Sequence, residues 1–296
     1  MKYLKKFPNH EGYSAYSAST EYLTPNVSYC AQEDEVHYGS NSEPPMPSTN
    51  AITYTASTQL NVDLTAFTPA ATAETYDSAT QTGVIEFNAL VTAIGTNAFS
   101  EKNALTSIVI PDSVTTIGDM AFDSCESLTN VTIGNGTTSI GYGAFGWCGS
   151  ITSCTIGSGV TSIGDYAFYN CRSLTSIDIP DSVQTIDNFA FNSCSSLTSV
   201  TIGNGVTSIN QNAFSRCTSL TSVTIPSDVT SINLNAFSYC NSFTSITCEA
   251  TTPPTLGNNA FANTNDCPIY VPAESVNAYQ TATNWSTYAS RIQAIP

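Results

Sequence analysis

The sequence predicts a β-rich repeat solenoid: a right-handed stack of coils with one parallel sheet, short helical or 3₁₀ turns and a 23-residue period. Three observations lead to this fold class. Ala-Phe pairs recur every 23 residues, segments of alternating apolar and polar residues recur in the same frame, and Pro-Asp or Gly-Asn-Gly corners separate the two. A single 23-residue unit cannot bury its apolar side, whereas a stack of units can, so the repeat specifies a stacked architecture.

The Ala-Phe pair sets the frame of the repeat. Each phenylalanine is expected to enter the core from a short helical or 3₁₀ turn. The column comprises Phe99, Phe122, Phe145, Phe168, Phe191, Phe214 and Phe237, with Phe261 one residue late. Isoleucines form two further columns in the same frame, which include Ile117 and Ile133. These columns are the predicted core.

Segments such as Leu-Thr-Ser-Val-Thr-Ile are typical of half-buried strands, because they alternate and are rich in β-branched residues. Each is predicted to form one rung of the parallel sheet. The outward positions form two columns, nearly uniform in small hydroxyls: Ser107, Asn130, Ser153, Ser176, Ser199, Ser222 and Ser245, and Val109, Thr132, Thr155, Asp178, Thr201, Thr224 and Thr247. Such a uniform face offers a ligand little discrimination.

The ends of the chain differ from the repeats. We predict a small N-terminal anchoring module over residues 1–40, with a short helix over 9–19 and a hairpin pairing 26–30 with 35–38. A proline-rich linker follows over 41–49, and residues 50–83 are predicted to cap the first coil. About eight coils over 84–271 and a C-terminal cap over 272–296 complete the chain.

Composition disfavours several classes of function. The chain has 7 Lys and Arg against 23 Asp and Glu, and its formal charge of -16 argues against nucleic-acid binding. It lacks an 18-residue apolar run, so we expect no membrane insertion, and no signal peptide is recognised because polar residues follow Lys6. Its only histidines are His10 and His37, and known catalytic, nucleotide or calcium motifs are lacking. We therefore expect no enzymatic activity, metal or cofactor.

Six cysteines repeat with the same period: Cys125, Cys148, Cys171, Cys194, Cys217 and Cys240. A straight column cannot bring four thiolates to one tetrahedral metal, and coils about 4.8 Å apart are slightly close for ordinary disulfides. We expect the thiols to be small buried apolar groups. The sequence leaves their redox state open.

The repeat unit resembles the BspA-like, Treponema-type leucine-rich-repeat proteins over residues 84–271, and the tail after Ile269 is similar to the C-terminal cap of gut Bacteroidales members. This resemblance implies an adhesion protein on the cell surface or secreted. The N-terminal segment resembles, more loosely, leader modules of virion-associated proteins of gut Bacteroides phages and prophages, which implies docking to a larger assembly. Without these resemblances the chain would be expected in the cytoplasm.

Aromatic residues at non-core positions are the candidate binding site: Tyr142, Trp147, Tyr166, Tyr169 and Phe189. They cluster in three consecutive coils and would suit a host or bacterial surface protein or a neutral glycan, since aromatic rings contribute strongly at interfaces. The alternative is that they fill gaps between coils or stand singly on the surface. The predicted function is non-enzymatic binding or adhesion, and the alternative is a phage fibre or decoration protein that mediates attachment.

Overall fold

The computed structural model describes residues 50–296 and the backbone of four strands that precede them. The chain divides into two units, residues 1–46 and residues 47–296. In the first unit the strands are β1 (Lys5–Pro8), β2 (Ser14–Ser17), β3 (Cys30–Gln32) and β4 (Glu35–His37), paired antiparallel in that order. The linker prediction for 41–49 falls outside the described residues.

The helix predicted over 9–19 is wrong where the structure describes it, because β2 is a strand. Its backbone pairs along its length with β1 and at Ser14 with β3, and this pairing replaces the hydrogen bonds of a helix. The predicted hairpin is present as β3 with β4, in which Cys30 faces His37. Residues 26–29 of that prediction are not described.

The second unit begins with antiparallel strands that cover the first coil. They are β5 (Ala51–Ala56), β6 (Phe67–Thr68), β7 (Ala73–Asp77) and β8 (Thr82–Glu86), with a 3₁₀ helix at Leu64–Ala66 between β5 and β6. Strand β5 lies between β8 and the first rung of the solenoid and pairs antiparallel with both. The rung thereby has a hydrogen-bonded partner on its outer side.

The long strands of the coils form the surface that we call the sheet face. They are β10 (Leu105–Ile110), β12 (Asn130–Ile133), β14 (Ser153–Thr155), β16 (Ser176–Ile179), β18 (Ser199–Ile202), β20 (Ser222–Ile225), β22 (Ser245–Cys248), β24 (Ile269–Val271) and β25 (Ile292–Ala294). They pair in parallel in three hydrogen-bonded groups, with Ser107 beside Asn130 and Ser176 beside Ser199. Residues 23 positions apart in the sequence are therefore neighbours on adjacent strands.

The prediction of one parallel sheet is incomplete, because two-residue strands form a second sheet. They are β9 (Ala93–Ile94), β11 (Thr116–Ile117), β13 (Ser139–Ile140), β15 (Ser162–Ile163), β17 (Thr185–Ile186), β19 (Ser208–Ile209), β21 (Ser231–Ile232) and β23 (Thr255–Leu256). Threonines beside this sheet reinforce it: the hydroxyls of Thr115, Thr138 and Thr161 each donate to the carbonyl oxygen 23 residues earlier, at 3.0 Å.

The Ala-Phe segments are consecutive turns rather than helical turns. In the third coil Gly143, Phe145 and Trp147 donate their backbone N–H groups to the next coil, while Ala144 and Gly146 donate to residues three earlier in the chain. Because every second N–H is used between coils, the i→i−3 pattern of a 3₁₀ helix is interrupted. The alternation places two residues per coil in the left-handed region.

The core is a continuous column of aromatic rings. Phe122 and Phe145 are stacked with ring centroids 4.9 Å apart, and Phe191 lies 5.1 Å from Phe168 and 5.2 Å from Phe214. All column phenylalanines are buried, as predicted. The cysteine column is also buried, and each thiol donates to the carbonyl oxygen of a phenylalanine 26 residues earlier, as Cys148 does to Phe122 at 3.0 Å.

The carboxyl end of the stack is closed by a 3₁₀ helix at Ala273–Ser275, helix α1 (Val276–Thr281), a 3₁₀ helix at Trp285–Arg291 and β25. Trp285 and Tyr279 are buried here. The Trp285 indole donates to the carbonyl oxygen of Pro254 at 2.7 Å and its ring lies 5.7 Å from that of Phe261. None of the described helices has the length and apolar character needed to cross a membrane.

Candidate functional site

The turn segments present a surface that we call the turn face. It consists of the residues two and three positions before, and one and two positions after, each column phenylalanine. The structure brings the five predicted site residues together there. We call this group the aromatic cluster: Tyr142, Trp147, Tyr166, Tyr169 and Phe189.

Ring contacts link all members of the aromatic cluster. Tyr166 lies at its centre, stacked on Phe189 at 4.7 Å with an interplanar angle of 6°. Its ring is also 5.4 Å from those of Tyr142 and Tyr169, and Trp147 meets Tyr169 edge-on at 5.4 Å. Such ring pairs are favourable arrangements that hold each ring in place. The cluster is one continuous patch across three coils.

The two outer rings of the aromatic cluster, Tyr142 and Trp147, are each about half exposed to solvent. Tyr142 is 48% exposed and Trp147 is 50% exposed, whereas Tyr166, Tyr169 and Phe189 are half-buried. Gap filling between coils therefore accounts for the buried part of the three inner rings, but it does not account for the two exposed outer rings. The pKa of Tyr166 is raised by partial burial and by the neighbouring Tyr142, Asp165 and Tyr169.

Three of the five residues occupy strained backbone positions. Trp147, Tyr166 and Phe189 have φ values of 58°, 59° and 58°. For a bulky side chain the left-handed region is unfavourable by about 1 kcal/mol or more. Other coils place Asn212 and Asn235 at the position of Tyr166, and asparagine tolerates this conformation better. Local backbone preference therefore does not explain the aromatic residues.

Carboxylates lie along the turn face beside the aromatic cluster. Asp119 Oδ1 accepts from the Tyr142 backbone N–H at 2.9 Å, and Asp165 Oδ1 accepts from the Asn188 backbone N–H at 2.8 Å. Burial is the main cause that raises the pKa of Asp187, to which Asp165 also contributes. Among the residues the structure describes, none of these carboxylates is recorded in a salt bridge.

A cation–π pair lies on the same turn face, between the first and second coils beyond Phe189. The Arg216 guanidinium carbon is 5.3 Å from the centroid of Tyr239, which is 47% exposed. Arg216 and Tyr239 occupy the same repeat position as Trp147, two residues after a column phenylalanine. This position therefore presents a ring face that a guanidinium can reach.

The sheet face contains a groove that sequence reasoning missed. It has a volume of about 780 Å³ and crosses β16, β18 and β20 as far as Glu249, the residue after β22. Hydroxyls of the two outward columns line it, together with the carboxylates of Asp178, Asp181 and Glu249. The signal in the sequence was Asp178, which interrupts the threonine column. The residues of the outward columns are exposed or half-buried, in the predicted orientation.

The described residues include no group of three His, Cys, Asp or Glu side chains placed to hold a metal ion. Burial is the main cause that raises the pKa of the Cys194 and Cys240 thiols to about 12, so these two thiols are neutral at physiological pH. The chemistry this arrangement offers is stacking, hydrogen bonding and negative charge at a surface.

Comparisons with known proteins agree with the fold. The family model described as BspA type leucine rich repeat region matches in six copies, over residues 92–180 and 161–287. A leucine-rich-repeat protein of T. pallidum is similar, with 28% identity and a TM-score of 0.52, over 55% of this chain and 78% of that one.

Two further solved structures are more distant. A leucine-rich-repeat protein of Bacteroides ovatus has 22% identity and a TM-score of 0.47, over 62% of this chain and 61% of that one. The pneumococcal vaccine antigen PcpA has 15% identity and a TM-score of 0.37, over 69% of each chain. No curated protein matches the chain.

Proposed function

The chain belongs to the BspA-type leucine-rich-repeat family, and from that premise we propose that it is a non-enzymatic binding protein that attaches to a surface partner through the aromatic cluster of its turn face. The partner is a molecule displayed on a cell or mucosal surface. The N-terminal unit serves as the anchor to a larger structure. The solenoid serves as a rigid display for the recognition surface.

The observation that carries this proposal is the aromatic cluster. Core packing explains the phenylalanine and cysteine columns, whereas Tyr142 and Trp147 are about half exposed and contribute no ring to the core column. Exposed aromatic rings are enriched where proteins bind partners, and Trp and Tyr supply much of the binding energy there. Retention of bulky rings at left-handed positions has a cost in stability, which a role in recognition accounts for.

A non-enzymatic role fits the residues available. Residues 50–296 contain no histidine, so the described solenoid cannot build an acid–base or nucleophilic site on imidazole. A single extended surface with stacking rings suits binding better than catalysis.

The test compares the full chain with a triple variant on a panel of bacterial and mucosal cells. The variant is Trp147→Asn, Tyr166→Asn and Tyr169→Asn, because other coils carry asparagine at each of these repeat positions. The matched control is Tyr239→Asn, which removes an exposed ring outside the aromatic cluster. We expect the triple variant to lose cell binding and the control to retain it. Equal cell binding by a folded triple variant would refute the proposal.

The site of display is tested separately by mass spectrometry of fractions from the producing cells. Recovery in the outer-surface or secreted fraction supports a cellular adhesion protein. Recovery in purified phage particles instead supports the alternative of a virion component, which rests on the resemblance of the N-terminal segment alone.

A further inference from the structure

We propose that the aromatic cluster receives arginine side chains of a basic protein partner, with the Trp147 ring stacked against a guanidinium group. This inference rests on the proposed function and specifies the chemistry of its partner. Three observations support it. A guanidinium lies over a ring at the equivalent repeat position, the charge around the cluster is negative, and no Lys or Arg of residues 50–296 forms a cation–π pair with a cluster ring.

The first observation is the pair of Arg216 and Tyr239. The guanidinium of one coil lies over the ring of the next coil, 5.3 Å from its centroid. Trp147 stands at the same repeat position with the same left-handed backbone, φ 58° against 62° for Tyr239. The preceding coil, which supplies the guanidinium in the pair of Arg216 and Tyr239, carries Ser124 at this position, so the residue equivalent to Arg216 beside Trp147 is uncharged. The chain thus contains an internal example of the contact proposed for its partner.

The second observation is the charge around the cluster. Asp165 and Asp187 lie on coils that carry its rings, and Asp119 on the preceding coil accepts from the Tyr142 backbone N–H. Asp165 is close enough to Tyr166 to help raise the pKa of its hydroxyl. Of the 23 acidic residues in the chain, 17 lie in residues 50–296, with only 4 of the 7 basic ones. A carboxylate beside an electron-rich ring favours a cation over a neutral ligand.

The third observation is that no Lys or Arg side chain of residues 50–296 forms a cation–π pair with a ring of the cluster. Within residues 50–296 the recorded cation–π pairs are Arg216 with Tyr239 and Arg291 with Tyr288. The basic residue nearest in sequence is Arg172, whose Nε donates to Asn170 Oδ1 at 2.8 Å. The cluster therefore combines ring faces and carboxylates with no recorded internal partner for a positive charge.

Arginine fits this surface better than lysine. Its planar guanidinium stacks on aromatic faces and donates two parallel hydrogen bonds to a carboxylate, while an ammonium is more strongly hydrated and acts as a point charge. A neutral glycan would use the rings and gain nothing from the negative charge. We therefore name a basic, arginine-bearing protein as the partner, and neutral glycan binding becomes an outcome that contradicts it.

The experiment measures binding of the full chain to synthetic Gly-Arg repeat peptides and to peptides of equal length with lysine or citrulline. Citrulline is the neutral analogue of arginine, and lysine preserves the charge. We expect the arginine peptide to bind best and the citrulline peptide to lose at least about tenfold. Trp147→Asn should weaken binding of the arginine peptide by about 3- to 20-fold, in line with the strength of cation–π contacts.

Two further variants separate recognition from general attraction to an acidic protein. Asp165→Asn keeps an oxygen that can accept from Asn188 and removes the charge, so it should weaken arginine-peptide binding. Tyr239→Asn removes a ring outside the cluster and should leave that binding unchanged. Equal affinity for lysine and arginine peptides, or no effect of Trp147→Asn, overturns the proposal.

A neutral glycan array on the same variants completes the test. Glycan binding that depends on Trp147, with no arginine-peptide binding, overturns this inference and leaves the proposed function intact. If cell binding, peptide binding and glycan binding are all indifferent to the triple variant, both the inference and the proposed function fail.

Discussion

A left-handed backbone recurs two residues before each phenylalanine of the column, and the residue types found there divide into two groups. Asn97, Asn212 and Asn235 suit this conformation, and so does glycine at position 143. Met120, Tyr166 and Phe189 do not. For the two aromatic residues we propose a role in recognition. Met120 lies outside the aromatic cluster, so its backbone strain has no such compensation.

Met120→Asn should raise the free energy of unfolding by about 1 kcal/mol, because asparagine tolerates the left-handed region better than methionine. Met120 has φ 52° and is 36% exposed, so little packing is lost. Thermal unfolding by circular dichroism measures the change. Met120→Leu is the matched control, since it keeps a bulky side chain on the same backbone. An asparagine variant less stable than the leucine variant would contradict this reasoning.

Asp187→Asn should raise the melting temperature at neutral pH and lose that advantage in acid. Burial is the main cause that raises the pKa of Asp187 above its ordinary 3.8; the hydrogen bond from Asn210 opposes it and Asp165 adds to it. The ionised form is therefore destabilised in the fold. The penalty is complete above the raised pKa and disappears as pH falls through it towards 3.8, as the carboxylate is protonated. Asn210 and Asn233 stand at the same position in the next coils, so the substitution suits the repeat.

Melting temperatures of the wild type and the Asp187→Asn variant should be compared from neutral pH to below pH 3.8. Asp178→Asn is the control, because Asp178 is exposed on the sheet face. A constant difference across this range would show that the charge of Asp187 is not the cause.

At the scale of the element, the long strands were predictable and the short ones were not. The sheet-face strands carry an alternating pattern over about four to six residues, which is a readable signal. The second sheet has strands of two residues, such as Thr116–Ile117, too short to show a period. The Ala-Phe segments were predicted to be short helical turns because the sequence pattern shows only neighbours along the chain. Their backbone conformation is determined instead by hydrogen bonds between coils.

The residues of the candidate site were predictable from the sequence, but the contacts between them were not. In a regular repeat, a residue that differs from its equivalents in the other coils is easily identified, and Trp147 and Tyr166 are two such residues. The contacts between their rings follow from coil stacking, which needs the register of the structure. The sheet-face groove was missed because it forms where β16, β18 and β20 lie side by side, and in the sequence only Asp178 marks it.

Phe191→Ala should lower the free energy of unfolding by about 3 to 5 kcal/mol, because it opens a cavity in the aromatic column. Phe191 is fully buried between Phe168 and Phe214. Urea unfolding measures the loss. Phe189→Asn, two residues away on the turn face, is the control and should change stability much less. Similar losses for both variants would contradict the assigned frame.

The cysteine column should resist alkylation in the folded protein. The thiols of Cys194 and Cys217 are buried, and each donates to a phenylalanine carbonyl oxygen at 3.3 Å. Burial raises the pKa of Cys194 to about 12, so little of the reactive thiolate is present at neutral pH. Iodoacetamide labelling read by mass spectrometry should modify the column only after denaturation. Prompt labelling of Cys194 in the native chain would disprove it.

At the scale of the whole second unit, the solenoid is a one-dimensional stack whose neighbours support one another. Each coil contacts the coil before it and the coil after it, so its stability depends on both and on the caps. The N-terminal cap pairs β5 with β10, and the C-terminal cap pairs β25 with β24. Local opening should therefore begin at an end when a cap is weakened.

Trp285→Ala should open the last coils while the central coils stay folded. The substitution removes the indole hydrogen bond to Pro254 and the ring contacts with Phe261 and Tyr279. Loss of this cap costs about 3 to 5 kcal/mol locally, because a large buried side chain leaves a cavity. In a stack with nearest-neighbour coupling, that cost falls on the terminal coils first.

Hydrogen exchange read by mass spectrometry distinguishes this result from global unfolding. We expect faster exchange in the coils after Phe237 and unchanged protection around Phe122 and Phe145. Trp147→Asn supplies the control, because Trp147 is the other of the two tryptophans in the chain and is half exposed. It should leave exchange in the last coils unaltered. Uniform acceleration across all coils in the Trp285→Ala variant would mean that the solenoid unfolds as a single cooperative unit, against the one-dimensional description.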